Sequence, residues 1–124
     1  MANEITLQVN MNVSKGSLRY AFTPPTANIN LTGNAAAGAL QNISTTAESL
    51  ATLDVTTAGM ANFMNLTTGT KVQVGTLSGT TFVPVLLLNA SEPAVSRMAT
   101  TTLYAKVSDP ATGTAVLQWQ VFSE

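Results

Sequence analysis

Glu4, Glu48, Asp54, Glu92 and Asp109 are the side chains best equipped for acid–base chemistry in this 124-residue chain. Hydrolysis by a carboxylate pair needs two such groups converging on one bond. No two of them share a short motif, and each falls in or beside a loop or a strand end. Serine is plentiful, but a serine nucleophile needs a base to take its proton. The chain has no His, so only Lys15, Lys71 or Lys106 could serve, and no Ser-x-x-Lys spacing occurs. It also has no Cys, which removes thiol nucleophiles and, with His, the usual zinc ligands. Gly75-Thr76-Leu77-Ser78-Gly79 is glycine-rich, but no Lys and no helix follow it as a phosphate-binding loop requires. Nowhere do acidic ligands alternate as in a calcium loop. The expectation is a non-enzyme with no catalytic residue, no cofactor and no metal site.

The composition points the same way. Only 9% of residues are charged, while 45% are hydrophobic. Soluble domains average about 25% charged residues, and Thr, Ser, Asn and Gln fill the gap here. A disordered chain would be rich in charge and poor in apolar side chains. Sparse charge gives little repulsion between copies, which suits a protein packed against neighbours. Net charge is −1, and Lys15, Arg19, Lys71, Arg97 and Lys106 are scattered. Nucleic-acid binding needs clustered cations to neutralise phosphates, so no nucleic-acid partner is expected. The longest apolar run, Phe82 to Leu88, contains a proline and is far short of the roughly 20 residues a spanning helix needs, so no membrane partner is expected either. The first residues lack the basic and apolar regions of a secretory signal, which predicts a soluble, cytosolically made protein. Five N-x-S/T sequons, at Asn12, Asn30, Asn42, Asn65 and Asn89, read as Asn/Thr richness rather than as glycosylation sites.

Strand periodicity dominates the chain. Ile5, Leu7, Val9, Met11 and Val13 share one parity against polar residues on the other, which predicts a half-buried strand. Lys15-Gly16-Ser17 makes a turn into Leu18, Tyr20 and Phe22, so the opening reads as a hairpin. Pro24-Pro25 ends it. Further strands are predicted at Asn28–Thr32, Ser49–Thr56, Met60–Leu66, Lys71–Val74, Thr81–Leu88, Ala94–Met98, Thr101–Val107 and Val116–Phe122. Gly33–Gly38, Gly75–Gly79, Asn89–Pro93 and Asp109–Gly113 read as loops or turns. No helical stripe, internal repeat or linker appears. Short strands at turn spacing of roughly 8–12 residues predict an all-β protein. The predicted form is a single antiparallel β-sandwich, jelly-roll-like, of about eight strands, forming one domain over residues 1–124. Trp119, Phe122, Tyr20 and Tyr104 lie within alternating runs and are expected to pack at the core or its rim.

Phe82-Val83-Pro84-Val85-Leu86-Leu87-Leu88 breaks the pattern, because both faces of that strand are apolar. In a two-layer sandwich only one face of a strand meets the core. Pro84 cannot donate to a central ladder, so the strand belongs at an edge or a bulge. An apolar edge strand is an aggregation hazard unless something covers it. By alternation Phe82, Pro84, Leu86 and Leu88 face one way and Val83, Val85 and Leu87 the other. The expected cover is a second subunit, with Val83, Val85 and Leu87 as the oligomer interface, and the alternative is a loop of the same chain.

Three stretches resemble one group of proteins. The opening Met-Ala-Asn-Glu-Ile-Thr-Leu-Gln-Val, leading straight into an alternating strand, is one. Asn62-Phe63-Met64-Asn65-Leu66 followed by Lys71-Val72-Gln73-Val74-Gly75 is the second. The third is Thr100-Thr101-Thr102-Leu103-Tyr104-Ala105-Lys106, followed by a turn and the terminal hydrophobic strand Ala115 to Phe122. Together they resemble small bacteriophage virion structural proteins of the capsid decoration (cement) or head-fibre type. Where such proteins often carry a Pro-Gly-Glu turn and an aromatic-containing strand, this chain has Ser91 to Met98. The resemblance implies a β-sandwich or jelly-roll-like domain on the capsid surface, synthesised in the host cytoplasm. It further implies the major capsid protein as partner and a homo-oligomer, a trimer being favoured. It implies no active-site residues. The alternatives are a tail or head-fibre component touching the host surface, and a small carbohydrate-binding module, which would need exposed aromatic platforms.

Overall fold

The computed structural model describes residues 4–52, 55–110 and 112–124. The chain groups into two compact units, Met1–Thr32 and Gly33–Glu124. Among the described residues there is no helix, and every paired strand is antiparallel apart from an isolated bridge between Asn65 and Ala90.

The first unit contains two small antiparallel sheets. Strand β1 (Ile5–Leu7) pairs with β4 (Ala27–Ile29), and β2 (Met11–Lys15) pairs with β3 (Leu18–Phe22). Gly16 turns the β2–β3 hairpin at φ 56°, a conformation open to glycine because it has no Cβ. The long opening strand expected from Ile5 to Val13 is therefore two strands. The break falls at Gln8-Val9-Asn10, where Asn10 Oδ1 accepts hydrogen bonds from Asn12 Nδ2 and Thr23 Oγ1. Alternation runs unbroken across that break, so periodicity alone does not reveal it.

The second unit carries eight strands: β5 (Ala36–Ile43), β6 (Glu48–Leu50), β7 (Ala58–Asn65), β8 (Lys71–Ser78), β9 (Thr81–Leu88), β10 (Pro93–Arg97), β11 (Leu103–Asp109) and β12 (Ala115–Ser123). They form two four-stranded sheets, ordered β10-β7-β12-β5 and β6-β11-β8-β9. Each sheet turns its alternate residues toward one shared cluster of buried side chains. Ile43, Phe63, Leu117, Trp119 and Val121 come from the first sheet, and Leu50, Val72, Val74, Leu88, Leu103 and Val107 from the second. Full burial of such a side chain is worth roughly 1.5–3 kcal/mol, so this cluster is the main favourable term holding the two sheets.

Three segments differ from their sequence reading. Ala36–Ile43 overlaps the loop expected over Gly33–Gly38 and instead pairs along its whole length with β12. The pairing is non-local, and glycine is needed there: a Cβ on Gly38 would lie 2.7 Å from the Trp119 carbonyl oxygen. The strand expected at Ser49–Thr56 shrinks to Glu48–Leu50, with Val55 buried outside any strand; Leu53 and Asp54 lie outside the described residues. The turn expected over Gly75–Gly79 is only Gly79-Thr80, with Gly79 at φ 63°, and β8 runs straight through Gly75-Thr76-Leu77.

Candidate functional site: the β9 edge

Strand β9 is the outer strand of its sheet, paired only with β8, the edge position Pro84 requires. Its side chains do not follow simple alternation. Val72, Val74 and Gly75 of β8 oppose Leu88, Leu86 and Pro84. One step on β8 thus spans two on β9, and Val85 is the extra residue of a β-bulge. Beyond the bulge the parity reverses. Leu86 and Leu88 lie on the core side, but Phe82 and Pro84, expected on the same face as them, turn to the outer face with Leu87, while Val83 joins the core side beyond the end of the core.

The reason lies in β8. A Cβ on Gly75 would overlap the carbonyl oxygen of Val83, so only glycine lets the bulged strand approach so closely. A glycine inside a strand is the usual cue for such a bulge, and the same stretch read as a turn conceals it.

Val83, Val85 and Leu87 are 41%, 66% and 54% exposed. The sequence puts them on one face, and the bulge makes them project from both faces of the edge. Beside them lies an apolar cavity of about 350 Å³, lined by Val74, Val85, Leu86, Met98, Ala99 and Leu103 among others. The segment after β10 closes one wall of it. No sequence period places Met98–Thr100 against a bulge on β9, so this wall is invisible before folding.

The bulge and Pro84 also decide what this edge can bind. A strand added by backbone pairing needs a regular row of donors and acceptors. Pro84 supplies no N–H, and the bulge interrupts the row. Contact must therefore come through side chains: apolar, uncharged and shaped around the Val85 protrusion.

The carboxylates are spoken for locally. Glu4 Oε2 accepts the Leu31 N–H at 3.1 Å, and Glu48 Oε1 accepts the Ser44 N–H at 2.9 Å. Glu92 accepts the Asn89 N–H at 2.9 Å and its side-chain amide at 3.1 Å, bracing a turn in which Ser91 takes φ 65°. Those Asn89 hydrogen bonds hold the Glu92 carboxyl below its ordinary range. Asp109 lies 3.5 Å from Lys71 Nζ, and Glu124 pairs with Arg97. Asp54 lies outside the described residues. Among the described residues no three His, Cys, Asp or Glu side chains gather as a metal site would require.

Family models, curated proteins and solved structures were each compared with the chain. None matches.

The aromatics occupy structural places. Trp119 is 3% exposed, and its indole N–H donates to Gln41 Oε1 at 3.2 Å. Tyr104 and Phe122 are half-buried, and Tyr20, read as a core-edge residue, is instead exposed on the β2–β3 hairpin. It lies on a two-stranded hairpin in a unit where no described residue is buried.

Proposed function

We propose that this protein is a non-enzymatic structural component that works by docking on other protein surfaces, with β9 as a contact between subunits. One observation carries the proposal: an edge strand bearing exposed Val83, Val85 and Leu87, blocked against strand addition by Pro84 and a bulge, next to an apolar cavity. Exposed apolar side chains gathered at one place on a surface commonly mark a protein–protein contact. The two sheets and their common core support a β-sandwich reading, jelly-roll-like in connection.

Within that class, the reading is a bacteriophage capsid decoration protein that binds the major capsid protein on the assembled head as a homo-oligomer. Its support is the resemblance carried by Asn62–Gly75 and Thr100–Lys106 with the terminal strand. The mechanism is thermodynamic. A protein that binds the assembled shell but not its parts adds its binding free energy to the shell, and symmetric repetition makes modest contacts accumulate. The test is to add purified protein to phage heads that lack it, recover the heads by sedimentation and then heat them. Saturable binding and a higher temperature of head disruption are the expected results. Absence of binding to intact heads overturns the virion reading and leaves the β9 contact to stand on its own test.

A further inference from the structure

We infer that the surface covering β9 is the β2–β3 hairpin of a second copy of this chain, an inference that rests on the reading of β9 as a subunit contact. The hairpin is sorted into two faces by its register. Met11 opposes Phe22, Val13 opposes Tyr20 and Lys15 opposes Leu18, while Asn12 with Ala21 and Ser14 with Arg19 fill the other side. Met11, Leu18, Tyr20 and Phe22 are each 44–57% exposed, and no residue described in 4–32 is buried. A lone two-stranded hairpin is marginal in water and needs a further layer to persist. Each unit by itself therefore presents an apolar β surface, a stripe in the first and an edge in the second.

Their lengths are close and their charges complementary. Leu18 to Phe22 takes four regular steps, about 13 Å at roughly 3.3 Å per residue, while Val83 to Leu87, shortened by the bulge, lies along three steps of β8, about 10 Å. The hairpin tip carries Lys15 on the stripe side, not ion-paired among the described residues. The turn that follows β9 carries Glu92, exposed and also without a cation. Seating the basic tip over the C-terminal end of β9 brings these opposite charges together and lays Tyr20 and Phe22 along Val85 and Val83.

Such a contact joins two different surfaces, so it repeats from copy to copy and either closes into a ring or continues as a fibre. Each copy in a ring contributes both its stripe and its edge. Four large side chains at about 100 Å² each give about 400 Å² on the stripe. With a comparable area on the edge, each stripe-on-edge contact buries about 800 Å² in total, the size of a weak contact, and ring closure gives every copy two of them. A twofold hairpin-on-hairpin pair would give each copy one such contact instead of two and leave β9 bare.

Mixing two variants of the full chain tests this. Phe22→Lys spoils the stripe and Val85→Lys spoils the edge, while Asn12→Lys puts the same charge on the hairpin's other face. Sedimentation velocity reads assembly, and emission from Trp119, the single tryptophan, shows that the second unit of each variant is folded. Wild type and N12K are expected to assemble. F22K and V85K are each expected to be monomeric, with affinity lowered at least about tenfold, equivalent to about 1.4 kcal/mol. Their equimolar mixture is expected to give a heterodimer, because one variant keeps an intact edge and the other an intact stripe. If V85K alone loses assembly and F22K does not, the hairpin is not the cover, although the β9 reading stands. A mixture that stays monomeric overturns the head-to-tail contact. A monomeric wild type overturns both readings.

Discussion

The ammonium group of Lys106 lies 5.1 Å from the centroid of the Phe82 ring. Lys106 opposes Gln73 on the outer face of the second sheet, so the contact places Phe82 on that face too. Plain alternation from Leu88 would have turned Phe82 toward the core. The single extra residue Val85 thus creates the Lys106–Phe82 contact, worth about 0.5–1 kcal/mol at an exposed site.

The bulge depends on Gly75, so Gly75→Ala is expected to destabilise the protein by about 2 kcal/mol or more, in the range of overpacked sites. The added Cβ must displace the Val83 carbonyl. Urea unfolding followed by Trp119 emission measures it, and an unchanged midpoint would show that the bulge can move aside without strain.

Asn65 is fully buried, and its side-chain amide donates to the Thr70 carbonyl, Thr70 Oγ1 and the Leu88 carbonyl at 3.0, 3.2 and 3.3 Å. Its Oδ1 accepts the Thr67 N–H at 3.1 Å. One side chain thus ties the end of β7 to the Thr67–Thr70 turn and the end of β9. Asn65→Ala leaves several buried groups unpaired, at roughly 1–3 kcal/mol for each group left unsatisfied. A loss of about 3 kcal/mol in denaturant unfolding is the expected outcome. A loss below about 0.5 kcal/mol, typical of exposed surface positions, would contradict the network.

Much of the architecture is legible in the sequence, and the exceptions share one physical cause. Thr81–Leu88, Met60–Leu66 and Val116–Phe122 are read nearly at their observed limits because their apolar periodicity is strong. Pro84 marks the edge strand correctly, since a missing donor is a local property. Ala36–Ile43 is missed because small residues with a glycine carry little periodic signal, and its strand state comes from pairing with β12 far along the chain. The outward turn of Phe82 is missed because one inserted residue reverses parity, a change only the partner strand reveals. The exposed trio Val83, Val85 and Leu87 is legible as a group, but its distribution over two faces and the neighbouring wall at Met98–Thr100 are not.

Glu92 gives the turn after β9 a pH dependence. The Asn89 hydrogen bonds lower its carboxyl pKa from the ordinary 4.5, so its folded pKa lies below its unfolded one. Such a group stabilises the folded turn above the unfolded value, and the contribution is lost as pH falls through the folded value. The Asn89 amide resonance is expected to titrate with a midpoint below 4.5, and Glu92→Gln to abolish the transition. A midpoint at or above the ordinary value would mean that the bonds do not favour the charged form.

Trp119 reports on the core itself. Its indole N–H is bonded to Gln41 Oε1, and Trp119→Phe removes the donor while leaving most of the ring volume. A loss of about 1–2 kcal/mol is expected, comprising the hydrogen bond and the unfilled space. Trp119 emission in the wild type should be blue-shifted and resistant to aqueous quenchers. Ready quenching would contradict its placement between the sheets.

The claim that β9 is covered by another subunit is tested most directly by sedimentation velocity of wild type and Val85→Lys across a concentration series reaching about 100 μM, well above the micromolar affinities expected of modest interfaces. The account predicts concentration-dependent assembly for the wild type, and a monomer with unchanged Trp119 emission for the variant. A wild type that remains monomeric throughout, or a variant that assembles equally well, would contradict it.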